Sequence, residues 1–193
     1  MILYYFPGGC SQACHIALIE GGLPHQLVKV GRERRTEDGQ DFNLINGKGY
    51  TPALELDDGT VLTEGLAILV FIAEQSGQLL AKEGLARWRA LEATAFMSTE
   101  IHRNFIPLFR GGSEQEKAQA AQTLLMRFGT LSEQLGEREF LVGTQMTIAD
   151  CYLFIMLCWA ARMGVAVPPR LDGYLTRMKQ IPSVAKALVA EGL

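Results

Sequence analysis

The 193-residue sequence predicts an α/β domain of order βαβαββα followed by an all-α helical domain. Three patterns carry that expectation. Short apolar and aromatic runs alternate with helix-spaced apolar residues over positions 1–78, and a hairpin signal, Asp57-Asp58-Gly59, separates two of those runs. Beyond position 85 strand character gives out and helical periodicity takes over.

Taken in order, "ILYYF" (2–6) and "QLVKV" (26–30) read as strands. Between them "SQACHIALIEGG" places Ala13, Ile16, Ala17 and Leu18 at helical spacing up to a Gly21-Gly22 stop, which makes a β-α-β unit. The polar stretch 37–46 reads as a helix or loop. "YTPALEL" and "TVLT" flank the hairpin turn, and "GLAILVFIAEQSG" reads as a further helix. Residues 79–84 are expected to link this domain (1–78) to the second (85–193), whose helices are expected over 85–109, 113–135, 148–164, 171–181 and 183–192.

Composition narrows the function. With 18 basic and 21 acidic residues the net charge is −3, and the one dense basic cluster, Arg32 to Arg35, is followed at once by Glu37 and Asp38, which argues against a nucleic-acid partner. "MILYYF" lacks the basic leader, long apolar core and cleavage site of a secretory signal, so a cytoplasmic location is expected. Four cysteines are too few for a disulfide scaffold and fit reduced thiols. The most apolar stretch, "CYLFIMLCWAA", runs about half the roughly 20 residues of a membrane span and reads as a core helix holding Cys151 and Cys158.

The chemistry-bearing stretch is "FPGGCSQACH". Its C-x3-C spacing is not that of a redox dithiol, and no second ligand cluster completes a metal site, since His25 and His102 stand apart. Cys14 and His15 fall inside the helix, where packing is their expected role. Cys10 follows Pro7-Gly8-Gly9 at the strand-to-helix junction, where unpaired N–H groups and the helix dipole favour an anion, either its own thiolate or that of a ligand. Ser11 is placed to donate to that sulfur or to cap the helix.

Thr51-Pro52 opens a strand. A cis bond there would turn the Thr51 backbone outward to pair with an extended peptide. Glu64-Gly65 opens a helix whose N–H groups suit a carboxylate. His102 reads as a surface or core histidine as readily as a functional one, with Glu100 and Arg103 as a solvated face. Met97, Phe105 and Phe109, at helical spacing, read as packing residues.

Together these segments resemble the glutathione S-transferase family, and its bacterial beta class in particular. "YYFPGGCSQACHIAL" is similar to that class's first strand, cysteine loop and first helix, and "YTPALELDDGTVLTEGLAILVFIAE" to its cis-proline strand, hairpin and Glu-Gly helix start. "STEIHRNFIPLF" resembles its histidine-bearing helix, and "FLVGTQMTIADCYLF" the helix-capping segment in which Thr147 and Asp150 form an S/T-x-x-D box.

The resemblance implies a thioredoxin-like N-terminal domain that binds glutathione as co-substrate, a helical domain that supplies the pocket for an electrophilic small molecule, and a homodimer. It implies no metal or prosthetic group and no membrane or nucleic-acid partner. Cys10 would face the glutathione sulfur with Ser11 and Tyr5 nearby, Thr51 beside Pro52 would pair with the cysteinyl backbone, and Glu64 and Gly65 would hold the γ-glutamyl end. Arg34 would meet the glycyl carboxylate, His102 and Arg103 would reach the thiol region, and Thr99 and Glu100 would contact glutathione across the dimer. The sequence departs from the pattern at Gly47, Thr51 and Ala95, where proline, valine and asparagine are usual. The expected activity is conjugation of the glutathione thiolate to an electrophile. The alternatives are thiol–disulfide exchange through Cys10 and a non-catalytic binding module.

Overall fold

Strand β1 (Ile2–Tyr5) pairs in parallel with β2 (Gln26–Lys29) across helix α1 (Ser11–Glu20), and antiparallel with β3 (Ala53–Glu55), which turns through Asp57-Asp58-Gly59 into β4 (Val61–Thr63). The computed structural model describes residues 1–193, and its four strands form one mixed sheet in the order β2-β1-β3-β4. Helix α2 (Gly65–Ser76) follows β4. The sheet's period of two sorts the residues of β1: Leu3 belongs to the fully buried core with Ile16, Leu54, Ile68 and Ile72, while Tyr4 joins Val30, Phe42 and Ala53 in a second cluster.

The stretch 37–46 contains no α-helix, only a single 3-10 turn at Phe42–Leu44. Phe42 is its one buried anchor, packed 5.7 Å from the Tyr4 ring, and Asp41 accepts from the Asn43 N–H at 3.0 Å.

The chain divides into two units, Met1–Lys82 with Pro182–Leu193, and Glu83–Ile181. Two expectations are corrected here. Leu79 and Leu80 are buried, so most of the expected linker belongs to the first unit. The final helix, α8 (Pro182–Glu191), expected in the helical domain, packs on α1 instead and buries Val184, Ala187 and Glu191. That contact explains why α1 is buried from Ser11 to Leu18 with no solvent face to give it amphipathic character.

The second unit is helical: α3 (Gly84–Phe96), α4 (Ile106–Phe109), α5 (Glu114–Leu135), α6 (Ile148–Met163) and α7 (Pro169–Met178). α5 buries Leu124, Phe128, Leu131 and Leu135 at helical spacing, and α6 is buried continuously from Ile148 to Leu157. Asp150 anchors the start of α6: its carboxyl accepts from the Thr147 N–H and hydroxyl, the Leu141 N–H and the Tyr174 hydroxyl, each at 2.8 Å. No helix is long and apolar enough to cross a membrane.

The single helix expected over 85–109 is interrupted. A π-helical turn (Met97–Ile101) and a 3-10 turn (His102–Phe105) separate α3 from α4. Pro107 has no N–H to offer the Arg103 carbonyl four residues back, and that carbonyl takes the Ile106 N–H instead. The change of pitch falls on His102.

Candidate functional site

In the first unit the turn leading into α1 is closed by the Gly9 N–H donating to the Phe6 carbonyl at 2.8 Å. A Cβ at Gly9 would stand 2.9 Å from that carbonyl oxygen, so glycine is required there. Cys10 occupies the N-cap position, and its Sγ lies 3.6 Å from the carbonyl oxygen of Thr51. The Thr51-Pro52 bond is cis.

Opposing effects meet at the Cys10 thiol. Burial pushes the Cys10 thiol up to about 11, the backbone N–H groups of Cys10 and Ser11 lower it by less, and the Glu64 carboxylate adds to the rise. The Ser11 side chain does not cap α1. Its hydroxyl donates to the Phe6 carbonyl at 3.2 Å and accepts from the Phe6 N–H at 3.1 Å, which ties the helix to the end of β1. Tyr5 packs beside His15, with ring centroids 6.4 Å apart, and burial raises its phenol, with Glu191 and Glu37 adding to the rise.

Gly65 is the first residue of α2, and Glu64, at a left-handed φ of 70°, occupies the helix's N-cap position without a side-chain cap. Its Oε1 accepts from Lys48 Nζ at 2.6 Å and from the Tyr50 hydroxyl at 2.9 Å, and these two donors hold its carboxyl below the usual range. Sequence reasoning missed both donors, because an exposed lysine and tyrosine before a strand carry no pattern. Asn46 holds the turn between them: its Nδ2 donates to the Tyr50 carbonyl at 2.7 Å and its Oδ1 accepts from the Lys48 N–H at 3.1 Å. Gly47, where the family pattern has proline, lies inside that turn, and a Cβ there would touch nothing. Arg34, itself at φ 57°, lays its guanidinium over Gly49, where a Cβ would come within 2.8 Å of Nη1.

In the second unit His102 Nδ1 is 2.7 Å from the Tyr152 hydroxyl, and its ring meets Trp159 edge-on at 4.8 Å. Phe105 and Phe109 close around the same indole at 5.5 and 4.9 Å. Burial lowers His102 to about 4, so at neutral pH the ring is uncharged. Arg103 is exposed. The Thr99 hydroxyl donates back to the Ala95 carbonyl at 3.2 Å, and Glu100 pairs with Arg127 at 2.8 Å. No group of three or more His, Cys, Asp or Glu side chains is arranged to hold a metal ion.

Two family profiles match the chain, "Glutathione S-transferase, N-terminal domain" over residues 9–75 and "Glutathione S-transferase, C-terminal domain" over residues 90–182. The sequence is 39% identical to glutathione S-transferase GstA of Escherichia coli O157:H7 over 100% of both proteins. Among solved structures, a ternary complex of BphK, a bacterial GST, aligns with a TM-score of 0.96 at 40% identity, with 100% of both chains covered. A sphingomonad glutathione S-transferase complexed with glutathione aligns with a TM-score of 0.94 at 42% identity, again over 100% of both chains. With both domain profiles matched and full-length identity near 40% to named transferases, the chain belongs to the glutathione S-transferase family.

Proposed function

We propose that the protein is a glutathione transferase that binds the tripeptide along the first unit and directs its sulfur onto an electrophilic small molecule. The observation that carries the reading is the cis Thr51-Pro52 strand entrance with Cys10, at the start of α1, 3.6 Å from its carbonyl. The Thr51 N–H and C=O pair with the cysteinyl backbone of glutathione as an added strand does. The γ-glutamyl end meets Glu64 and Gly65 at the start of α2, where an acidic side chain suits its ammonium and the helix N–H groups suit its carboxylate. Arg34 serves the glycyl carboxylate.

Pairing of the peptide at Thr51 displaces the Cys10 thiol from its carbonyl acceptor and brings the ligand's sulfur to the start of α1. There the N–H groups and dipole favour the thiolate. Lowering a thiol pKa by about two units requires roughly 2.7 kcal/mol of differential stabilisation, within reach of one helix terminus and one or two hydrogen bonds. The family resemblance assigns His102, a neutral hydrogen-bond donor, and Arg103 to the same thiol. The thiolate then attacks the electrophile and forms the S–C bond as the leaving group departs, or as a proton adds to a conjugated acceptor. No metal or prosthetic group enters the reaction.

Thiol–disulfide exchange through Cys10 is the weaker reading, because a thiol pushed up to about 11 is almost wholly protonated at neutral pH. We place the protein in the cytoplasm, where reduced thiols are the norm. We read it as a homodimer, with Thr99 and Glu100 meeting glutathione across the interface. The exposed apolar side chains Leu85 and Trp88 on α3 and Met126 on α5 support that reading.

The test is retention of the folded protein on immobilised glutathione and elution by the free tripeptide, followed by conjugation to an activated aryl chloride. Glu64→Ala should weaken retention. Folded wild-type protein that passes straight through at low salt contradicts the reading.

A further inference from the structure

We propose that Tyr152 is a positioning residue for His102: its hydroxyl donates to Nδ1, fixing the imidazole as the tautomer that carries its proton on Nε2 and presenting that N–H as a neutral donor. The inference rests on the reading of His102 as a partner of the reacting sulfur and names what makes it one. The contact is short, 2.7 Å, and spans 50 residues of sequence, from the 3-10 turn of His102 to the buried face of α6.

The direction of the bond follows from acidity and basicity. A phenol, with a pKa near 10, is a far stronger acid than a neutral imidazole N–H, and the bare imidazole nitrogen is a stronger base than a phenol oxygen. Between the two neutral groups the proton therefore lies on the tyrosine oxygen and points at Nδ1. The imidazole is uncharged around pH 7, since burial holds His102 near 4. Trp159, edge-on at 4.8 Å, and the break in helix pitch at Met97–Ile101 hold the ring in the plane this bond needs.

The consequence for the chemistry is specific. With Nδ1 occupied as acceptor, Nε2 offers a hydrogen bond to an anion and is unable to accept a proton from a thiol. His102 then acts by stabilising a thiolate that already exists, not as the base that creates it.

The test uses full-length protein carrying 15N-labelled histidine, whose three residues are distinguished by His102→Gln. Two-bond 1H–15N correlation at pH 7 is expected to show His102 protonated on Nε2 in the wild type. Tyr152→Phe, which keeps the ring, should mix the two tautomers and raise the His102 titration midpoint. It should also lower kcat/KM for conjugation about tenfold, the worth of one hydrogen bond of ~1.4 kcal/mol, with glutathione retention unchanged.

A wild-type spectrum with the proton on Nδ1 overturns the proposal without any variant, and so does a Tyr152→Phe spectrum identical to the wild type. Full activity in His102→Gln overturns the catalytic half. Loss of glutathione retention in the wild type would instead overturn the transferase reading, which the spectra do not touch.

Discussion

His15 Nδ1 lies 2.9 Å from Oε1 of Glu191, and both side chains are shut away from solvent. The other carboxyl oxygen of Glu191 accepts from the Gly8 N–H at 3.0 Å and from Gln12 Nε2 at 3.2 Å. One carboxyl group from α8 thus satisfies the loop before Cys10 and two side chains of α1. Glu191→Ala removes the acceptor of the buried Gln12 and His15 side chains and should cost about 3–5 kcal/mol. Glu191→Gln keeps one acceptor oxygen and should cost about 1–3 kcal/mol. Denaturant unfolding of the three proteins checks the order, and equal midpoints would show that this contact carries no stability.

Acid should destabilise the protein through His102. Its folded pKa, about 4, lies below the ordinary 6.5, so the unfolded chain takes up a proton in that interval and the folded chain does not. The contribution is complete above pH 6.5 and is lost as pH falls from 6.5 toward 4, by up to about 3 kcal/mol. His102→Gln should flatten the stability curve across that window. A wild-type curve already flat there, measured by urea unfolding at stepped pH, would exclude a buried neutral histidine.

Cys10 in the free protein should react slowly with iodoacetamide at neutral pH. Its rate should keep climbing with pH toward a midpoint near 11. Peptide mapping after timed alkylation measures the profile, and a midpoint below 8 would restore the thiolate that the helix start alone implies.

Glu64 offers a separation of strain from contact. Glu64→Gly and Glu64→Ala both remove the exposed pair with Lys48, worth at most about 1 kcal/mol. Only the glycine variant relaxes the left-handed backbone at φ 70°, a strain of about 1–3 kcal/mol, against which its unfolded-state entropy sets about 0.4–1 kcal/mol. The glycine variant should therefore be the more stable of the two by about 1 kcal/mol, while both lose glutathione retention. A less stable glycine variant would mean that the backbone there is unstrained.

What was legible in the sequence is what short-range physics dictates. The β-α-β start, the Asp57-Asp58-Gly59 hairpin, the strand-opening proline at 52 and the Thr147–Asp150 pairing all depend on residues a few positions apart. The partners of His15 and His102 lie 176 and 50 residues away, and no local pattern announces either. α8 looked like one more helix of the second domain because its apolar spacing says that it packs, not on what. The acidity of Cys10 has a related origin. The helix start is visible in "PGGCS", but the neighbours that desolvate the sulfur come from the fold, and their effect is the larger.

The return of α8 to α1 also sets an order of events during synthesis. Met1–Lys82 leaves the ribosome with its sheet and first two helices, yet Glu191, the carboxyl that Gln12 and His15 meet, arrives only with residues 182–193. The helical unit, Glu83–Ile181, is contiguous and is able to fold first. A nascent chain arrested before Pro182 should therefore protect the second unit from protease while leaving the Cys10 loop open to cleavage, and release of the last dozen residues should close it.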